Sequence, residues 1–581
     1  MRPAQIAAAA TIIATTIGAI ATVSQEAVMK AAFLNWGYFL TLALVIAWGI
    51  SAHIWLQNRG NHIKLELIKH RWGIGFCLLA AIFVFCSVPV QYKVLSDEAN
   101  LVSVAIEMSS NHSAGQPIID YVYHQAHHPE RIGIPIRPLV FPFFVSLVYP
   151  LAADGLQAAF IVNGLALFGF LSLVYLAVAR RLDRMSAVAA VLLLLSQPVL
   201  TTTAASAGFD ILSILLLTAS VWLYLGQNHN PHKDQQVLLW MTLLMFANVR
   251  YEAGLICCAL ILGLIVAKRF LWSDILCNPM PYVLSLPLML PMVWQRILSR
   301  NKMEAPDGEL LFDLRRVVDH GWLALESLVD FRFVLPYNNI ANMLGLCICV
   351  GLTYWYLRYG RTNMARHHKS AVWTVVITAV SISMLYLIHD KGKVNFPTSA
   401  RLFLIPTLIL SGVPILTRVI WPQRVKSGLL LVVGIIFVTI YHPVAVKNTF
   451  MNKLTLVRRT TITTEFLQEH LPDNGLIISE RPIHYVAMGY GSIGFKDLKN
   501  NVNGVLNHIR CGDIPRAIIA QRLSHRHETV LNNNNIPEDI PTKVISEVRV
   551  QGPEFLRFLE IDVDVDPVGE RSCSRPRAPR L

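Results

Sequence analysis

The sequence predicts an α-helical polytopic membrane protein that ends in a small α/β domain on one side of the bilayer, and three observations carry that prediction. Of 581 residues, 54% are hydrophobic and 15% charged, with a mean hydropathy of +0.48, far from a soluble average. Apolar runs recur between short polar breaks, and a spanning helix needs about 20 such residues. From residue 444 onward the text turns charged and polar, with strand-like pieces in it.

Taken in order, about thirteen spans are expected, at 5–23, 37–56, 73–91, 156–179, 185–203, 208–226, 236–249, 252–267, 281–297, 339–358, 371–388, 402–420 and 427–443. The first follows Arg2 and is rich in small residues, but it is long and lacks a distinct cleavage site. It reads as an uncleaved anchor rather than a signal peptide. The seventh and eighth are short and meet at NVRYE. Orientation follows the Lys and Arg of short loops. The basic breaks lie at 58–71, 179–184, 268–270, 357–369 and 417–426. With all of them in the cytoplasm, the N-terminus is inside and the C-terminal segment outside, and the long connections 92–155, 298–338, 389–401 and 444–581 face outward.

Three units result: 1–72, two N-terminal spans and a cytoplasmic loop; 73–443, a membrane domain containing the outer loop 92–155; and 444–581, an extracytoplasmic domain with a disordered tail. In the last unit NGLIIS (474–479), TKVISEVRV (542–550) and EFLRFLEIDVDV (554–565) read as strands, whereas RAIIAQRLSH (516–525) has helical spacing. The net charge of +13 is spread through membrane-flanking loops, so it does not argue for nucleic acid. Seven of the nine cysteines lie in or beside apolar spans, where Cys behaves as a small hydrophobe. Only Cys511 and Cys573 fall in the outer domain, where an oxidising compartment permits a disulfide whose geometry the sequence does not supply.

The outer loop after the third span opens on SDEANLVSVAIEM. Ser96 reads as an N-cap, Asp97 and Glu98 occupy the first turn, and Leu101, Val102, Val104, Ala105 and Met108 make the apolar stripe of a helix lying along the membrane surface. Acids in a first turn serve the helix dipole by about 0.3–1 kcal/mol, which alone explains the pair. Their company on the same face suggests more. Arg137 precedes Pro138 and a short apolar segment, broken by Pro142 and Pro150, that reads as a second interfacial helix. Asp210 opens a span, Arg250 and Glu252 flank Tyr251 at an outer turn, and Lys391, Lys393 and Arg401 lie together before another span. Charges at the membrane edge are costly and tend to serve function or pairing. Outward carboxylates facing outward cations suit transfer from a lipid phosphate, whose anionic leaving group cations hold and whose acceptor hydroxyl needs a base.

These stretches resemble the GT-C class of polytopic glycosyltransferases, near the bacterial lipid A aminoarabinose transferases, the protein O-mannosyltransferases and the rhizobial lipopolysaccharide-core galacturonosyltransferases. The residues that carry the resemblance are DEANLVSVAIEM, IRPLVFPFFVSLVYPL, FDILSILLLTASVWLYL, NVRYEAGLICCAL and SARLFLIPTLIL, in that order between about 73 and 420. The resemblance implies a GT-C-like fold in a bacterial inner membrane and a polyprenyl-phosphate sugar donor. It implies Asp97 as general base with Glu98 beside it, and Arg137, Arg250, Lys391, Lys393 and Arg401 as holders of the donor phosphate. Two departures stand out: two spans precede the one leading into the Asp-Glu loop, and Arg-Pro-Leu replaces the class's Lys-Pro-Pro.

Histidines 112, 124, 127 and 128 match no strong metal-ligand spacing, so no metal site is assigned and no cofactor is required, although some of this class use a divalent cation. A lipid transporter or flippase would place its charges near the midplane rather than at one rim. A glycan polymerase or ligase uses the same outer-face arginines and is separated only by an acceptor assay.

Overall fold

Prolines and capping carboxylates set where the helices of this chain begin and break. The computed structural model describes residues 3–21, 25–93, 95–123, 126–226, 232–266, 278–300, 312–330, 337–363, 380, 383–389, 392–395, 397–416, 423–447, 455–472, 474–524, 529–530, 534–551 and 554–563. The first eleven helices are α1 Pro3–Ala21, α2 Glu26–Lys69, α3 Arg71–Ser87, α4 Leu95–Asn111, α5 Val140–Val148, α6 Gly155–Arg181, α7 Arg184–Leu195, α8 Pro198–Ala204, α9 Asp210–Gly226, α10 Lys233–Ala247 and α11 Ala253–Val266. Asp154 caps α6 by accepting from the Gln157 amide at 2.6 Å, and Asp183 caps α7 by accepting from Ser186 at 2.8 Å. Pro198, at the first position of α8, stops α7, and the pair bends by 76°. The side chain of Gln197 at this break is buried and satisfied: it donates to Asn342 at 2.9 Å and to Ser411 at 2.5 Å, and accepts from the Asn338 amide at 2.9 Å.

Among the described residues three helices are long and apolar enough to cross a bilayer, Glu26–Gly60, Gly155–Arg181 and Arg424–Val446, with a fourth if α7 and α8 form one broken span. Shorter apolar helices lie over other expected spans, among them α3, α9 and Asn339–Tyr354. The expected span 281–297 is instead broken by its prolines into Met280–Leu284, a 3₁₀ turn at Pro287–Met289, and Leu290–Leu298. Most of 371–388 lies outside the described residues. The basic stretch 58–71, read as a loop, is helical through Lys69: α2 runs on past its apolar part, since nothing between Asn58 and Lys69 except Gly60 disfavours a helix. The largest core gathers α3, α4, α6, α7, α9 and α10, while Leu79, Leu165 and Leu262 stay exposed, as lipid-facing side chains do.

The helix expected along the membrane surface is α4, but it is buried on every face from Leu101 to Met108, between two cores, rather than lying open on a surface, and it starts at Leu95, so Ser96 lies inside it rather than capping it. The second expected short helix is α5. Between them the chain forms an unexpected hairpin, β1 Gln116–Tyr123 and β2 Ala126–Gly133. This hairpin is the edge of a sheet whose other strands come from the C-terminal segment: β3 Leu476–Ser479, β4 Gly491–Gly494, β5 Ala517–Ser524, β6 Thr529–Val530, β7 Thr542–Gln551 and β8 Glu554–Ile561. The order is β2-β1-β4-β3-β5-β8-β7, with β6 on β5. β3 lies parallel between β4 and β5, and the other pairs are antiparallel.

The strand faces alternate as their period of two requires. Ile477 and Ile518 pack against Phe466 and Leu467 of the helix Thr455–His470, while Leu476, Ile478 and Ile519 pack against Leu498, Leu506 and Ile509 on the opposite side. The stretch 516–525, read as helical, is therefore β5. A short run apolar on both faces is what a strand covered by helices on each side needs, and periodicity alone cannot separate it from a helix. Asp120 of β1 pairs with Ser492 of β4, Arg131 of β2 meets Asp497 at 2.9 Å, and Tyr121 enters the C-terminal core. The loop 92–155 and the C-terminal domain consequently lie on the same side of the membrane part. Cys511 is disulfide-bonded, and Cys573 lies outside the described residues.

Candidate functional site

Five separate segments deliver charged side chains to one place. Asp97 comes from the first turn of α4, and Arg137 from the stretch before α5. Asp210 opens α9, Arg250 and Glu252 stand in the turn between α10 and α11, and Arg401 starts the 3₁₀ turn Arg401–Phe403. They form a continuous relay. Arg137 donates to Asp97 Oδ1 from Nη2 at 2.7 Å and from Nε at 3.2 Å. Asp97 Oδ2 also accepts from Arg401 Nη2, and Arg401 Nη1 reaches Asp210 Oδ2 at 3.4 Å. The other oxygen of Asp210 lies 2.9 Å from Arg250 Nη1, and Arg250 Nε donates to Glu252 at 3.2 Å.

Three guanidiniums thus meet three carboxylates, and the set is neutral. Its middle is its driest part: side-chain exposure is 1% at Asp210 and 6% at Arg250, against 26% at both Arg137 and Glu252. Arg250 also lies over the rings of Phe209 and Tyr386, at 5.6 and 5.8 Å. Burial by itself would raise the Asp97 carboxyl, but Arg401 and Arg137 override it and hold that group well below the usual carboxylate range. Arg401 keeps a buried Nε with no hydrogen-bond acceptor among the described residues, so a donor remains available beside the relay.

The other residues singled out by sequence go elsewhere. Glu98 is 1% exposed and faces backbone: its Oε2 accepts from the Lys93 amide at 2.7 Å and its Oε1 from the Ala207 amide at 3.1 Å. It ties the start of α4 to the loop before α9, which sets Asp97 opposite Asp210. Tyr251 accepts from Gln295 at 2.5 Å and lies under Arg296 at 4.8 Å, outside the relay. Lys393 is exposed and enters no ion pair among the described residues, and Lys391 lies outside them. His112 sits at φ 52° with its ring 5.0 Å from Tyr38. His124 and the side chains of His127 and His128 lie outside the described set, within which no group of three or more His, Cys, Asp or Glu could hold a metal ion. Sequence reading passed over Lys93, a buried cation whose Nζ donates to the Pro89 carbonyl at 2.6 Å; burial brings it down to about 8. A lone Lys between an apolar run and an acidic helix gave no signal for this.

Residues 136–295 match the family described as dolichyl-phosphate-mannose-protein mannosyltransferase. The stretch contains Arg137, Asp210, Arg250 and Glu252. No curated protein matches the chain by sequence. Among solved structures, ArnT from Cupriavidus metallidurans bound to undecaprenyl phosphate is similar over 85% of this chain and 99% of its own, at 12% identity and a TM-score of 0.51. The Archaeoglobus fulgidus oligosaccharyltransferase tethered to an acceptor peptide aligns over 81% and 75% at 10% identity, with a TM-score of 0.42 too low to bear on the fold. The resemblance to the GT-C class of polytopic membrane glycosyltransferases thus holds both for the fold of this chain and for the family match at its centre.

Proposed function

We propose that the protein transfers a sugar from a polyprenyl-phosphate-linked donor to an acceptor hydroxyl at the outer face of a bacterial cytoplasmic membrane, in the assembly of a glycan such as lipopolysaccharide. The observation that supports this best is the neutral relay Arg137–Asp97–Arg401–Asp210–Arg250–Glu252, which gathers cations and a candidate base from five segments onto one site. ArnT from Cupriavidus metallidurans, a solved structure of similar fold, is bound to undecaprenyl phosphate. In this reading the chain crosses the membrane thirteen times, with its N-terminus inside. The loop 92–155 and the C-terminal domain, which share one sheet, lie outside, and the disulfide at Cys511 suits that compartment.

The charges account for the step. Asp97 paired with two guanidiniums is a weak base. A donor phosphate taking up Arg137 and Arg401 draws those cations off the carboxylate and raises its proton affinity. The acceptor hydroxyl then attacks the anomeric carbon from the face opposite the phosphate, its proton passes to Asp97, and the bond from carbon to phosphate oxygen breaks with inversion. The donor diester carries one negative charge and the departing polyprenyl phosphate two. Protonation of Asp97 removes one negative charge from the relay, so Arg137 and Arg401 meet the second phosphate charge without any change in the total. No cofactor is drawn upon, and activity retained under exhaustive chelation is the corresponding expectation.

The test is Asp97→Asn, assayed for sugar transfer from a synthetic polyprenyl-phosphate donor in membranes shown to contain folded protein. The expected loss is about 10²–10⁴-fold. Undiminished transfer overturns the assignment of Asp97 as base. Net movement of the lipid without a new glycosidic bond would point to a flippase.

A further inference from the structure

We infer that the C-terminal domain carries a second anion site, a cleft that binds a phosphate group, separate from the relay in the membrane part. The cleft, of about 440 Å³ with its mouth, lies between the helix Thr455–His470 and the carboxyl ends of the parallel strands β3 and β5. That is where open α/β sheets commonly place ligands, because the chain leaves neighbouring strands in different directions there. At that end β3 runs into Pro482–Val486, on the same face of the sheet as Thr455–His470, whereas β5 is followed by the antiparallel strand β6 beside it.

The walls carry an unbalanced charge set. Arg459 Nε and Arg522 Nε converge on a single oxygen, Glu554 Oε1, at 2.6 and 3.0 Å, and Arg522 Nη1 donates to Glu480 at 2.8 Å. Arg481, exposed at the rim, enters no ion pair among the described residues. Among the described residues, three guanidiniums against two carboxylates leave one positive charge. Two guanidiniums crowded onto one oxygen are what an arriving oxyanion would relieve: burial and the neighbouring Arg522 already disfavour the charge on Arg459. Arginine forks match tetrahedral phosphate oxygens, and the hydroxyls of Thr463 and Ser479 line the same space. A structural ion cluster alone would need no third arginine at an open mouth.

The cleft also adjoins the membrane part. His484, on its wall, sets its ring edge-on to Tyr92 at 5.9 Å, and Ile483 and Ala487 pack into the large membrane core. A phosphate on a lipid headgroup and a free phosphate share the chemistry this site recognises, and its position favours the headgroup.

The experiment uses the full chain in phosphatidylcholine nanodiscs, titrated with inorganic phosphate at constant ionic strength set by chloride. Saturable binding is expected, weakened roughly ten- to a hundredfold in Arg481→Gln and unchanged in Lys499→Gln, an exposed cation on Phe495–Asn500 across the sheet. Arg481 is exposed and outside every core cluster, so its replacement should leave the fold intact. Nanodiscs doped with phosphatidic acid separate the sources: competition with inorganic phosphate that Arg481→Gln abolishes marks a headgroup site, and binding without competition marks a free-phosphate site. The inference is overturned by absence of saturable binding, or by binding that Arg481→Gln leaves unchanged.

Discussion

Asp210→Asn strikes the relay at its driest point. Asp210 is 1% exposed and divides its oxygens between Arg250, at 2.9 Å, and Arg401, at 3.4 Å. Replacing it leaves three guanidiniums with two carboxylates and so places a net positive charge where little water can screen it. Stripping one partner from a buried pair costs about 3–5 kcal/mol. Arg250 keeps Glu252 and Arg401 keeps Asp97, and the amide can still accept one hydrogen bond, so the expected cost is about 3 kcal/mol, at the lower edge. A difference of that size raises the open population by roughly a hundredfold, which pulse proteolysis in detergent reads directly when opening is fast. Adding Arg250→Gln restores the balance at two charges of each sign. The double variant should therefore be less destabilised than the sum of its parts by about 1–2 kcal/mol. A variant whose open fraction stays within about twofold of the parent, or strictly additive effects, would refute the reasoning that these groups act as one electrostatic unit.

Glu98→Gln should behave differently from Asp97→Asn. It weakens acceptance from two backbone amides and costs about 1–3 kcal/mol of stability, yet turnover per folded molecule should stay within a few-fold of the parent; a loss like that of Asp97→Asn would make Glu98 part of the chemistry. The low pKa of Asp97 has a pH signature. Because its folded value lies below its unfolded one of about 3.9, the unfolded chain binds more protons in that window. Its stabilisation is therefore complete above about pH 5 and drains as the pH falls below about 4. The stability gap between the parent and Asp97→Asn should shrink across that interval in acid titrations, and a gap that widened would reverse the sign of the argument. Lys393→Gln, at an exposed residue outside the relay, should leave kcat unchanged; a rise in donor KM would return this lysine to the donor-phosphate set.

Much of this was legible in the sequence because its causes are local. Apolar runs of bilayer length, loop charge and acids in a first turn act within a few residues of one another, and α4, α5, α6 and α9 lie close to where the patterns put them. Strand β5 reads as helical from sequence because its first half, Ala517–Ala520, is apolar on both faces, and only the helices lying over each face account for that. The hairpin β1–β2 escaped notice for a related reason. His127, His128 and Pro129 are unremarkable strand material, and what makes them a strand is the neighbour β1, which meets β4 some 370 residues later in the chain.

The charged site divides the same way. Residue types at the outer edge of spans, read from sequence, nominated Asp97, Arg137, Asp210, Arg250, Glu252 and Arg401 together with Glu98, Tyr251 and the two lysines. Sequence could set their depth in the membrane, because depth follows from distance along a helix. Which of them meet is decided by how the helices pack around one another. That packing alone turns Glu98 toward the Lys93 and Ala207 amides while its neighbour Asp97 takes two arginines from segments 40 and 304 residues away. Adjacent residues on a helix point about 100° apart, so one faces the protein's backbone and the other the site.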